Sequence, residues 1–244
     1  MDLSVAAAIA LAAIVFLAYT TQAITGFGSS VITVTISALF LPVNLILPVA
    51  VALNLPFCAW LVWRNHSAVD WPLLRRSILP LMLTGLVIGA LLAWRVEDLP
   101  VEVPLGILVV VCSLIDIYRV LAERSLPMPV WLQRLITLLA GAAQGFAASG
   151  GPLLAVALAN SGLPKARLRA SLSVVWFLTN SLLTIGFVST GRYSLPMAGL
   201  TAALLPVMLL ALAAGEWAHH RVSERQFRLI IDLLLLVAGL ALLF

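Results

Sequence analysis

Apolar residues along this chain come in long unbroken runs, with no sign of the one-in-two alternation of a half-buried strand. The runs fall at 3–24, 28–41, 43–63, 72–94 and 100–122, then at 130–147, 150–162, 167–190, 194–217 and 225–244. Most approach the ~20 residues that a helix needs to cross a ~30 Å hydrocarbon core. Two are shorter, 28–41 and 150–162, and each follows a break rich in glycine: "TGFGSS" (25–30) and "QGFAASGGP" (144–152). The pattern predicts an all-α polytopic membrane protein; a membrane barrel would alternate apolar and polar positions. Backbone that leaves a helix inside a bilayer must pair with protein or with water in a cavity. Each break is therefore a candidate site.

Five segments with the short one second, followed by five more in the same order, point to duplication. Gly26-Phe27 matches Gly145-Phe146, and Leu41-Pro42 matches Leu163-Pro164. Further on, Pro72 matches Pro196, Leu79-Pro80 matches Leu205-Pro206, Gly89 matches Gly215, and Arg95-Val96 matches Arg221-Val222. The offset grows only from 119 to 126, so the series is collinear. Residues 1–124 and 125–244 are read as two transmembrane repeats of one membrane domain, joined by "ERSLPMP" (123–129).

Composition agrees: 63% of residues are hydrophobic and 10% charged, against about a quarter charged in soluble domains. Charge adds orientation. If each short segment returns the chain to the side it came from, one face collects Arg64, Arg75, Arg76, Arg119, Arg124, Arg134, Lys165, Arg167, Arg169, Arg221, Arg225 and Arg228. The other keeps only Arg95 and Arg192. That bias marks the first face as cytoplasmic and places both termini on the opposite side. Each repeat then makes an odd number of crossings or their equivalent, so the two are inverted. The N-terminus has Asp2 where a signal peptide carries Lys or Arg, and it reads as a retained segment. Cys58 and Cys112 lie in apolar runs and read as small core hydrophobes.

Inverted repeats with interrupted helices characterise many secondary transporters, whose sites lie near the midplane where the repeats meet. Ser29 or Ser30 is expected to cap the helix after the first break, and Pro152 suits the first turn after the second. Both helix starts then aim N–H groups and positive dipole ends at the interface, an arrangement that binds anions without a buried Lys or Arg. The candidate substrate-binding residues are Thr25, Gly26, Gly28, Ser29, Ser30, Gly145, Ser149, Gly150 and Gly151 as donors. Gln22, Gln144, Asn54 and Asn180 complete the cavity, and Phe27 and Phe146 cover it or pack behind it. Close helix packing is the competing explanation of any single Gly-rich break. Two matched breaks, each with its glutamine, favour a site.

Asn54 and Asn180 fall within about one helical turn of each other in the repeat alignment, so they are expected to face one cavity. The competing role of Asn54 is to satisfy the kink at Pro56. Thr33 and Thr35 are expected to bond back to their own helix. Asp116 and Asp232 have Arg119 and Arg228 at helical spacing, and Glu216 suits an interfacial salt bridge. Adjacent His219 and His220 point to different faces and bring no third metal ligand. Trp60, Trp63, Trp71 and Trp94 sit at segment ends, as interface anchors do. No catalytic constellation, metal site, cofactor or nucleic-acid partner is implied.

The stretch "TQAITGFGSSVITVTISALFLPVNLILPVAVALN" (21–54) and its counterpart "QGFAASGGPLLAVALANSGLPKARLRAS" (144–171) resemble the sulfite exporter family TauE/SafE, also called the toluene sulfonate uptake permeases. The resemblance extends over nearly the whole chain. It implies a permease of the bacterial plasma (inner) membrane for sulfite, sulfonates or related sulfur-containing or carboxylate anions. Its partners would be the small anionic substrate, the lipid bilayer and a coupling proton or sodium ion. The residues themselves leave a passive anion channel open as a rival. A membrane-embedded enzyme is the weaker one.

Overall fold

The computed structural model describes residues 4–95, 102–122, 128–158, 163–218, 224–241 and 243. They form helices and no strand. Ten helices follow the ten apolar runs: α1 (Val5–Thr25), α2 (Ser29–Ser37), α3 (Val43–Asn65), α4 (Trp71–Arg95) and α5 (Glu102–Ala122), then α6 (Val130–Ala147), α7 (Gly151–Leu158), α8 (Lys165–Ser189), α9 (Leu195–Ala218) and α10 (Glu224–Ala241). Among the described residues, six are long and apolar enough to cross a membrane: α1, α3, α4, α5, α8 and α9.

Local chemistry sets the boundaries. Ser4 caps α1 by accepting from Ala7 N–H at 3.2 Å. The helix ends where Gly26 turns left-handed (φ 90°) and its N–H bonds to Gln22 C=O at 2.8 Å. Gly28 (φ 107°) is left-handed as well, so the chain reverses within three residues and α2 starts at once. An L side chain is strained at either position, which is why the turn uses glycine. Gly28, not a serine, is the N-cap of α2: Ser29 and Ser30 stand inside its first turn, and no side chain caps it. Pro152 does occupy the first turn of α7. Pro42 and Pro164 each precede a long helix, α3 and α8, whose first turns need no proline N–H. Asp70 accepts from Leu73 N–H at 3.1 Å to start α4, which passes through a π-helical stretch at Leu74–Ile78.

At 1.5 Å per residue, nine-residue α2 rises about 14 Å, half a hydrocarbon core. Alone it is too short to cross. The expected 28–41 segment thus shortens to Ser29–Ser37, followed by a turn to Pro42. The expected 150–162 segment is helical over Gly151–Leu158, and 159–162 lie outside the described residues.

Burial separates the centre from the periphery. Of the most apolar window of each helix, 61% is buried in α3 and 50% in α8, but 28% in α4 and in α9. The α3–α8 pair is therefore the axis of the molecule, and α4 and α9 turn most of their surface to lipid. Around the axis α4 packs on α6, α9 on α1, and α10 on α5. Tryptophans near the ends of α3 and α4 hold nearby arginines over their rings: Arg64 lies 5.0 Å from Trp60, and Arg75 lies 5.3 Å from Trp71. That suits the interfacial role expected of them.

The α4–α6 contact is backbone against backbone. Gly85 and Gly89 on α4 face Gly141 and Gly145 on α6, each pair four residues apart, and a Cβ at any of the four would collide with the opposing main chain. Small residues at this spacing let membrane helices meet without side chains between them. Gly141→Val should force the pair apart at a cost of about 1–3 kcal/mol, the usual range for overpacking. Thermal unfolding in detergent should show a lowered Tm; an unchanged Tm would contradict the contact.

Candidate functional site

The two breaks meet beside the α3–α8 axis and line a small, partly open cavity. Gln22, Gly28, Ser30, Asn54, Gln144, Gly151 and Asn180 line it, together with Val31, Ala148 and Trp176. Seven predicted residues, from both halves of the chain, thus share one space. No Lys, Arg, Asp or Glu lines it.

Side-chain amides run across this space as a relay. Gly150 N–H donates to Gln144 Oε1 at 3.1 Å, and Gln144 Nε2 donates to Asn180 Oδ1 at 2.8 Å. Asn180 Nδ2 donates to Asn54 Oδ1 at 3.0 Å. Asn54 Nδ2 then donates to Gln22 Oε1 at 2.9 Å and to Ser29 Oγ at 2.5 Å. All of these side chains are buried. The relay joins the residue before α7 to the first residue of α2, so the two short helices are held by one set of bonds. The Asn54 side chain bonds to Gln22, Ser29, Asn180 and Cys58, and none of its bonds among the described residues goes to the backbone beside Pro56.

An amide nitrogen carries two hydrogens. Gln22, Gln144 and Asn180 each use one in the bonds found among the described residues, which leaves one donor apiece. The α2 N-terminus adds uncapped N–H groups and the positive end of its dipole. The cavity is neutral and rich in donors, a setting that favours an anion.

Other predicted residues stand around this centre. Ser29 joins through Asn54. Gly26 closes α1, and its C=O accepts from Trp176 Nε1 at 3.1 Å while its Cα packs on Arg169. Phe27 lies against Gly151, where a Cβ would sit 3.4 Å from the ring. Thr25 bonds back to Thr21 C=O and on to Phe27 C=O, at 2.9 and 2.8 Å. Gly145 packs on α4, Phe146 on the apolar core, and Ser149 Oγ bonds to Ala147 C=O at 2.9 Å. Gly150 is pressed against Ala140 C=O. These four support the second break and do not line the cavity.

Sequence reasoning missed Trp176, Ala148 and Cys58. Trp176 lies mid-helix, where tryptophan is no interface anchor; that position was the available signal. Ala148 is left-handed (φ 51°) with nothing in its residue type to announce it. Cys58 is more than a core hydrophobe: its Sγ donates to Asn54 Oδ1 at 2.8 Å and accepts from Gln22 Nε2 at 3.6 Å.

A second cavity shares Gly28 and Val31 with the first and is lined by Thr25, Phe27, Cys112, Asp116 and Asp232 among others. Arg119, expected beside Asp116, also donates to Val156 C=O at 3.2 Å. Glu216 does form a salt bridge, with Arg169. His219, His220 and the side chain of Arg228 lie outside the described residues, among which no His, Cys, Asp or Glu group could hold a metal.

A comparison with known families matches residues 11–242 to the one described as sulfite exporter TauE/SafE. The chain belongs to the TauE/SafE family. It is accordingly a multi-pass membrane protein of a transporter family for sulfur anions such as sulfite. No curated protein and no solved structure matches it.

Within this TauE/SafE member the relay makes a sharp demand on charge. Asn54→Asp keeps the shape but puts a carboxylate where Asn54 Nδ2 donates and where an anion would bind. Transport should fall to background while membrane insertion stays normal; flux equal to the parent's would contradict the site.

Proposed function

We propose that this protein is a secondary transporter of small sulfur oxyanions, sulfite and short sulfonates, working by alternating access. The observation that carries the proposal is the amide relay, drawn from both halves of the chain where the two helix breaks meet. Residues 1–124 and 125–244 act as inverted repeats. The helix pairing supports this reading. Exchanging the halves turns the α4–α6 contact into α9–α1 and returns α3–α8 and α5–α10 to themselves.

The substrate binds by hydrogen bonds and helix dipoles, without a fixed cationic partner. Such binding leaves no ion pair to be broken when the anion is released. The spare N–H groups of Gln22, Gln144 and Asn180 and the first turn of α2 are the donors, with Ser30 and Gly151 at the rim. Trp176 closes one side of the pocket through its bond to Gly26. The site lies in a bacterial plasma (inner) membrane protein with both termini outside the cytoplasm, the orientation that gathers twelve of fourteen basic residues on the inner face.

Reconstitution in proteoliposomes tests this reading. Sulfite and sulfoacetate flux should saturate, show counterflow and respond to an imposed pH gradient. Flux that never saturates and shows no counterflow would instead mark a passive channel. A Cβ at Gly151 meets only ordinary contacts, but a leucine would reach into the cavity. Gly151→Leu should therefore lose at least about a hundredfold in flux, the scale of excluding a ligand worth ~3 kcal/mol of contacts. Full activity in that variant would remove the site assignment.

A further inference from the structure

Nine hydroxyls in or at the ends of the helices behave alike. Thr21, Thr25, Thr84, Thr137, Ser173, Thr179, Ser181, Thr190 and Thr201 each donate to the carbonyl four residues back, at 2.7–2.9 Å. This is the ordinary way to satisfy a hydroxyl in an apolar setting. Helix α2 departs from this at three consecutive alternate positions, where α8 departs at one, Thr184. Thr33, Thr35 and Ser37 are 1%, 0% and 0% exposed, and their hydroxyl oxygens have no hydrogen-bond partner among the described residues. The expectation that Thr33 and Thr35 bond to their own helix does not hold.

Ser29, Thr33 and Ser37 are four residues apart and so share one face of α2. That face is fixed by Ser29, which accepts from Asn54 of α3, a residue that lines the central cavity. Helices α2 and α3 pack together. The row is therefore continuous with the site at one end. At the other it climbs about 12 Å to the 38–42 turn, where Leu39 and Phe40 are exposed. Thr35 stands on the opposite side of α2 and takes no part. The matching helix α7, "GPLLAVAL", has no hydroxyl at all, so the row is peculiar to the first half.

We infer that the Ser29–Thr33–Ser37 row is the path by which a small oxyanion passes between the cavity and the surface at residues 38–42, opened when α2 moves off α3. Buried hydroxyls without partners are rare enough to need an explanation. A path that is closed in this conformation provides one. Each hydroxyl can rotate to donate to an anion as it strips off water, and each gains partners when the seam parts. Unused hydrogen bonds in the closed seam favour its opening. The inference rests on the proposed transport of small oxyanions, and it deepens that reading by giving the site an exit on one side.

Two measurements test it. The first compares Thr33→Val/Ser37→Ala, which keeps the packing, with the parent. Sulfite flux should fall about tenfold, the loss expected from one hydrogen bond missing at the barrier. Sulfite binding, read by intrinsic tryptophan fluorescence, should stay within about twofold, less than the worth of one hydrogen bond. Flux equal to the parent's would overturn the path. The second makes Thr33→Cys and Ser37→Cys separately and applies a membrane-impermeant anionic methanethiosulfonate, with the parent's Cys58 and Cys112 as background. Modification above background supports the path, and cysteines as unreactive as the parent's overturn it. A parent that carries no sulfite would sink the transport reading alone, because labelling still decides whether the row opens.

Discussion

Asn180 and Asn54 meet through a 3.0 Å hydrogen bond on the α3–α8 axis, and the rest of the arrangement hangs on that contact. Through it the α7 side of the molecule, bonded by Gln144, is tied to the α2 side, bonded by Gln22 and Ser29. In a buried, largely apolar setting an unmade bond of this kind costs about 1–3 kcal/mol, so the relay tolerates few alternatives. The same constraint explains the breaks. A chain that leaves the helix inside a bilayer needs partners for its backbone, and here the glycine turns and the amides supply them together.

Electrostatics then follows from geometry. The cavity lacks charged lining residues, yet amide N–H groups and the α2 N-terminus converge on it. On the proposed reading, such a site would attract an anion and also release it. Fixed charges are kept outside this centre, as in the Arg169–Glu216 pair beside the end of α1. The tight glycine contact between α4 and α6 contrasts with the α1–α9 contact, where Gly215 alone meets Ala23 and the Thr20 backbone. The two corresponding contacts thus differ in closeness, and α2 and α7 differ further in their hydroxyls.

Much of this was legible in the residues. Continuous apolar runs located all ten helices, because membrane depth sets both their length and their composition. Matched glycine breaks and their glutamines marked the centre, since backbone that leaves a helix at depth has few permitted explanations. Side-chain direction was harder to read. Gly145, Phe146 and Ser149 share the motif with Gly151 but turn to α4, to the core or to their own backbone. Trp176 entered from mid-helix, its place away from a segment end being the one signal it offered. The capping serines failed because Gly28 could take the left-handed turn itself, which moved Ser29 inside the helix. Thr33 and Ser37 depart from the usual bond to their own helix, which nothing in their residue types announces.

Selenite is a close analogue of sulfite with an anomalous scatterer at its centre, so its place in a crystal can be found directly. The account predicts one strong anomalous peak in the central cavity, within hydrogen-bonding reach of the Asn180 and Gln144 amides and the first turn of α2, and no such peak in crystals of Gly151→Leu. A peak elsewhere on the protein with the cavity unlabelled, or equal peaks in both proteins, would contradict it.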